Sequence, residues 1–170
     1  MDYTWLLIIS MGVSSLRTDL NSNQLASLPG PFAETSIMLQ TPKSGHAGIR
    51  LTYFSNSIQV RNIYQSNYGE NMKVSEMILS PFIGGSRSLW RNGRFYADFG
   101  PQWQLYSQFG LGGRFQYLHR IKLRRSKRFY LGAKCGADYW AFDSLDGYRD
   151  QSDKYGDIAL NGSISIAFPF

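Results

Sequence analysis

Cysteine and histidine are scarce: the 170-residue chain has one of the first and two of the second. A single cysteine permits no intrachain disulfide and no four-cysteine zinc site. His46 and His119 fall on separate segments, so no metal site or other cofactor site is expected. Long apolar runs are missing too. The longest unbroken aliphatic and aromatic stretch is Trp5-Leu6-Leu7-Ile8-Ile9, whereas a spanning helix needs about 18 apolar residues. With a mean hydropathy of −0.29, a helical membrane bundle is excluded. What the chain does have is aromatic mass: 11 Tyr, 11 Phe and 4 Trp, too much for a disordered polymer. Its length is that of one domain, taken as 1–170.

The net charge is +6, and five of the 18 basic residues fall in Lys122-Leu123-Arg124-Arg125-Ser126-Lys127-Arg128. This knot reads as a solvated turn. No aromatic RNA-binding signature or zinc-finger spacing accompanies it, so no nucleic-acid partner is expected. At the amino terminus Trp5 to Val13 could form the apolar core of a signal peptide. However, Asp2 stands where a positive flank belongs, and no clear small-x-small cleavage site follows. Residues 1–14 therefore read as a first strand, with a signal-peptide remnant as the alternative.

Alternation with period two is the dominant pattern. From Ile158 the apolar set is Ile158, Leu160, Ile164, Ile166, Phe168 and Phe170, and between them lie Asp157, Ala159, Asn161, Ser163, Ser165 and Ala167. Three further long strands precede it. Phe129, Leu131, Ala133, Cys135, Ala137 and Tyr139 alternate with Lys134 and Asp138. Leu111, Phe115, Tyr117 and Ile121 alternate with Arg114, Gln116, Arg120 and Lys122. Phe95, Ala97, Phe99 and Trp103 alternate with Arg94, Tyr96, Asp98 and Gln102. The first half is less regular: Tyr3–Val13, Thr35–Gln40, His46–Asn56 and Val74–Ser88 bring the total to eight. In the first of these, Leu6 and Ile8 interrupt the polar face.

The connections alternate in length. Thr41–Gly45, Leu89–Gly93 and Arg124–Lys127 are short, while Ser15–Glu34, Arg61–Lys73 and Asp143–Gly156 are long, and Ser107–Gly110 is an exception. Short turns at one end and long loops at the other are the habit of outer-membrane barrels. The expected fold is thus all-β: an eight-stranded antiparallel up-and-down transmembrane β-barrel in a bacterial outer membrane. Such a barrel has an interior just wide enough for side chains. Asp98, Arg114, Arg120, Lys134 and Asp138 are expected to form ion pairs there, Asp98 near Arg120 and Arg114 near Asp138. Trp90, Phe95, Phe129, Phe168 and Phe170 would form one interfacial girdle, with Trp103 and Tyr139 in the other. The alternative is a soluble lipocalin-like barrel, which alternates similarly but turns its apolar face inward to a ligand cavity.

A last strand with Ser163, Phe168 and Phe170 so spaced resembles the signal that barrel-assembly machinery reads in outer-membrane proteins, though Ser165 stands where glycine is usual. Leu79-Ser80-Pro81-Phe82-Ile83, followed by Arg94-Phe95-Tyr96-Ala97-Asp98-Phe99-Gly100, resembles the outer-membrane β-barrel domain family common in Bacteroidota, small barrels of the OmpA/OmpX kind. The resemblance implies membrane lipids, lipopolysaccharide and the assembly machinery as partners. It names no loop ligand.

Catalytic chemistry finds little support. His119 falls on the outward parity, opposite no carboxylate, and a catalytic histidine needs an orienting partner. His46 adjoins the Pro42-Lys43-Ser44-Gly45 segment and reads as a turn residue. Tyr53-Phe54-Ser55-Asn56 is similar to the His-x-Ser-Asn motif of lipid A 3-O-deacylases, but Tyr53 replaces the general base and the motif lies far from the carboxy-terminal position it has there. The expected function is non-enzymatic, structural or adhesive, with binding through loops. A lipid A deacylase-like hydrolase remains the enzymatic alternative.

Overall fold

The structure, a computed structural model, describes residues 3–18, 25–61, 68–104, 109–122, 128–141 and 156–170. All elements are strands: β1 (Thr4–Thr18), β2 (Leu25–Leu28), β3 (Gly30–Gln40), β4 (Gly45–Arg61), β5 (Tyr68–Trp90), β6 (Gly93–Gln104), β7 (Phe109–Lys122), β8 (Arg128–Ala141) and β9 (Gly156–Pro169). Consecutive staves pair antiparallel, and β9 returns to β1 with Leu7 opposite Phe168 and Ser14 opposite Asn161. The sheet therefore closes into a barrel.

Nine segments make eight staves because β2 and β3 are one stave with a break. Both pair with β4, but Leu28 faces Ser57 while Phe32 faces Phe54, so one extra residue is accommodated around Pro29. Proline has no N–H to give to a ladder, and a one-residue bulge is where a strand tolerates it. Gly30 completes the break, since a Cβ there would lie 1.8 Å from the Ser55 carbonyl oxygen. A second proline site lies in β5 and β6. Their ladder pairs Leu79 with Trp103 and resumes at Ile83 with Phe99, which sets Pro81 against Pro101. The Ser80 hydroxyl donates to the Pro101 carbonyl at 2.8 Å in place of a backbone donor.

The alternation sorts the two faces as expected. On β9 Ile158, Leu160, Ile164, Ile166, Phe168 and Phe170 are exposed on the outer wall, while Ala159, Asn161, Ser165 and Ala167 are buried inside. The strands are longer than the sequence pattern suggested. The expected loops Ser15–Glu34 and Arg61–Lys73 are largely strand, because β1 runs to Thr18, β3 starts at Gly30 and β5 starts at Tyr68. The acidic loop with Asp143, Asp146, Asp150 and Asp153, and most of the basic knot, lie outside the described residues.

Candidate functional site

The barrel interior is where polar chemistry concentrates. At the short-turn end it is dry: Leu6, Ile8, Met38, Phe82, Tyr96, Leu118 and Ala167 pack together, with Tyr130 against them. Leu6 and Ile8, which spoil the alternation of β1, are the inward residues that help build this plug. Next comes Arg50 from β4, which donates to the Asp98 carboxylate and lays its guanidinium 4.4 Å above the Phe82 ring. His46 is a neighbour, 4.0 Å from Asp98 and edge-on to Tyr96 at 5.5 Å between centroids. Contrary to the reading as a turn residue, His46 is a buried strand residue. The turn ends two residues before it, at Ser44, whose φ of 100° closes the hairpin tip.

Further along the axis Glu34, Arg114, Lys134 and Asp138 form a continuous network from β3, β7 and β8. Glu34 accepts from Lys134 Nζ at 2.6 Å, from Arg114 Nε at 3.0 Å and from the Thr52 hydroxyl at 3.2 Å. Arg114 Nη2 donates to Asp138 at 2.9 Å, and Asp138 also accepts from Asn161 at 2.9 Å and from Gln102. Arg114 is only 1% exposed. Room for the network comes from two glycines, Gly136 beside Arg114 and Gly112 beside Gln102 and Asp138. A Cβ at Gly136 would sit 2.3 Å from Arg114 Cδ, and one at Gly112 would meet Gln102 Nε2 at 1.9 Å. Three carboxylates, Glu34, Asp98 and Asp138, thus face three cations, Arg50, Arg114 and Lys134. Uncompensated charge away from water is costly, and this balance removes it.

Of the residues singled out from sequence, Arg114 and Asp138 are brought into contact, and Lys134 joins them through Glu34. Asp98 and Arg120 are not brought together. β6 ends at Gln104 and β7 begins at Phe109, so the connecting loop is centred about two residues before the expected Ser107–Gly110. That shift places Asp98 opposite Arg114 and moves Arg120 to the short-turn rim, where its Nη2 donates to Asn92 Oδ1 at 3.3 Å. Glu34 and Arg50 are network members that the sequence pattern does not single out. Glu34 falls at the end of the expected Ser15–Glu34 connection, whereas β3 contains it. Arg50 lies within the expected His46–Asn56 strand, but its partner is two staves away on β6, 48 residues along the chain. Phe168 and Phe170 face outward, Phe170 stacks on Trp5 at 6.4 Å, and its N–H donates to the Trp5 carbonyl at 3.1 Å. Ser163 lies on the opposite, inward parity.

No catalytic constellation is assembled among the described residues. Ser55 shares a hydrogen bond with Ser75 at 2.8 Å. His46 is inside the barrel and His119 lies on the outer wall beside Tyr117, 3.1 Å from its hydroxyl. No group of three or more His, Cys, Asp or Glu that could hold a metal occurs among the described residues. Cys135 is exposed on the outer wall.

The outer wall carries aromatic pairs at both ends. Trp90 meets Tyr117 edge-on at 5.8 Å and Trp5 meets Phe170 at the short-turn end, while Trp103 and Phe109 pair at 5.8 Å toward the other. The ten steps of β9 from Ile158 to Phe168, at about 3.4 Å each and tilted by about 40°, span about 26 Å of height, close to the apolar band of an outer-membrane barrel. The fold is that of a closed, eight-stranded outer-membrane β-barrel.

Comparison with solved structures agrees. The chain is similar to the outer membrane protein OprG from Pseudomonas aeruginosa, with a TM-score of 0.57 over 99% of this chain and 95% of that one, at 9% identity. An identity that low carries the fold and nothing finer. No family model matches the chain, and no curated protein matches it.

Proposed function

We propose that the chain is an integral protein of a bacterial outer membrane with a non-enzymatic role, its barrel a rigid scaffold and its long-loop end the place of recognition. The observation that carries this reading is the inverted distribution of polarity. Arg50, Arg114, Lys134, Glu34 and Asp138 are buried inside, whereas Met11, Ile83 and Ile164 are 69, 69 and 67% exposed outside. Soluble monomers rarely expose an apolar belt of this extent. A lipocalin-like carrier needs the reverse arrangement, with its apolar face around an internal cavity. Here the lumen is crossed by ion pairs between opposite walls, which favours a scaffold over a ligand carrier or an open pore.

Outer-membrane lipids and lipopolysaccharide are the proposed surroundings of the outer wall. Barrel-assembly machinery is the proposed reader of Ser163, Phe168 and Phe170. The hydrolase alternative gains nothing from the site, since Ser55 is bonded to another serine and lacks a histidine. Detergent extraction followed by electrophoresis with and without boiling tests the main reading. A folded band that shifts on heating is expected. Protein that stays monodisperse in buffer without detergent would contradict it, and lipid A ester hydrolysis lost in Ser55→Ala would restore the enzyme.

A further inference from the structure

The short-turn mouth of the barrel holds a feature that neither the ion-pair network nor the scaffold role explains. It is a cup of about 230 Å³, floored by Tyr96 and rimmed by Arg91, Arg94 and Arg120 together with Ser88 and Asn92. The floor is blind: Tyr96 is 2% exposed, its hydroxyl donates to Gln40 Oε1 at 3.2 Å, and the apolar plug of Leu6 and Leu118 lies beyond. No carboxylate among the described residues lines the cup. Three guanidinium groups gathered without a counter-charge among the described residues differ sharply from the interior, where Arg50, Arg114 and Lys134 each have an acid.

The arginines are also under-used. The Arg120 main-chain N–H is fixed by the Asn92 carbonyl at 2.7 Å and its Nη2 by Asn92 Oδ1 at 3.3 Å, yet its Nε is buried without a hydrogen-bond partner. Among the described residues Arg94 reaches only the Ser88 hydroxyl, through two long bonds of 3.4 Å. Guanidinium forks match the oxygens of a phosphate group better than any other side chain does. We propose that the cup binds a phosphate-bearing anion, gripped by Arg94 and Arg120 with Arg91 at the rim. The volume suits one phosphate with a small substituent, such as a glycerol phosphate group, presented by a soluble ester or by a phospholipid headgroup. The binding chemistry does not depend on how the barrel sits in a membrane; only the source of the phosphate does.

Titration of the detergent-folded full chain with inorganic phosphate and with glycerol 3-phosphate, followed by calorimetry, tests the proposal. Saturable binding is expected, weakened at least about tenfold in Arg120→Gln through loss of a charged hydrogen bond. Arg94→Gln should weaken it similarly, and the long bonds of Arg94 make that variant the safer one for folding. Lys43→Gln, on the neighbouring turn but outside the cup, should bind as the parent does. A second arm reconstitutes parent and variants into phosphatidylglycerol or phosphatidylcholine vesicles and measures lipid retained through gel filtration. Arginine-dependent retention of either lipid assigns the phosphate to a headgroup, and binding of the soluble esters alone assigns it to a small solute. Absence of saturable binding in both arms, or binding unchanged in both arginine variants, overturns the proposal. Heat-modifiable migration of each variant separates loss of the site from loss of the barrel.

Discussion

Replacing Arg114 with methionine tests the interior network at its centre. The substitution keeps an unbranched side chain but removes five charge-assisted bonds: one to Glu34 at 3.0 Å, two to Asp138, and one each to the Gly113 carbonyl at 3.1 Å and the Ala137 carbonyl at 3.5 Å. The lumen then holds three carboxylates against two cations. Glu34 keeps Lys134 and Thr52, and Asp138 keeps Gln102 and Asn161. Removing one partner of a buried pair costs about 3–5 kcal/mol, and these surviving donors place the expected loss near the lower figure, about 3 kcal/mol. Adding Asp138→Asn restores neutrality, so the double variant should recover about 1–2 kcal/mol, a coupling of the size contacting residues show. The assay is equilibrium unfolding in urea from lipid vesicles, followed by tryptophan fluorescence, with an unchanged denaturant slope. A single variant within about 0.5 kcal/mol of the parent, or a double variant that simply adds the two losses, would refute the structural role of the network.

Other outcomes follow from the two faces and from the seam. Ile164→Arg places a charge near the middle of the outer wall and should cost about 2–4 kcal/mol in a bilayer; urea unfolding from vesicles checks this, and a change near zero would mean the wall faces water. At the β1–β9 seam, a Cβ on Gly12 would lie 1.9 Å from the Gly162 carbonyl oxygen, whereas one on Gly162 meets nothing within 4 Å. Gly12→Val should therefore destabilise closure by about 1–3 kcal/mol, while Gly162→Ala leaves the heat-modifiable band unchanged. Equal behaviour of the two variants would contradict the register.

Strand identity and facing were legible wherever alternation was clean. β9 and β8 could be read residue by residue because one wall is apolar and the other small or polar throughout. The first half was harder for local physical reasons. Leu6 and Ile8 are inward yet apolar, since they belong to a dry plug that interrupts an otherwise polar lumen. β3 was cut short because Pro31 and Gly30 look like loop residues, while the closed wall absorbs them with a bulge. Interior pairing was legible only between neighbouring strands. Arg114 and Asp138 are on adjacent staves, two residues off direct register, whereas Arg50 and Asp98 are two staves apart and Lys134 and Glu34 three. Linear spacing carries no record of contacts of that kind. A shift of about two residues in the strand boundaries is enough to change which arginine stands opposite Asp98.

The central claim is that the apolar outer wall faces lipid, and the chain contains its own probe. Cys135, the single cysteine, is exposed on β8, where it pairs in register with Phe115 and Gly162. Protein reconstituted in sealed lipid vesicles is treated with a charged, membrane-impermeant maleimide before and after unfolding in hot detergent, and the adduct is read by mass. The account predicts no labelling of the folded protein and full labelling after unfolding; rapid labelling of the folded, vesicle-embedded protein would contradict it.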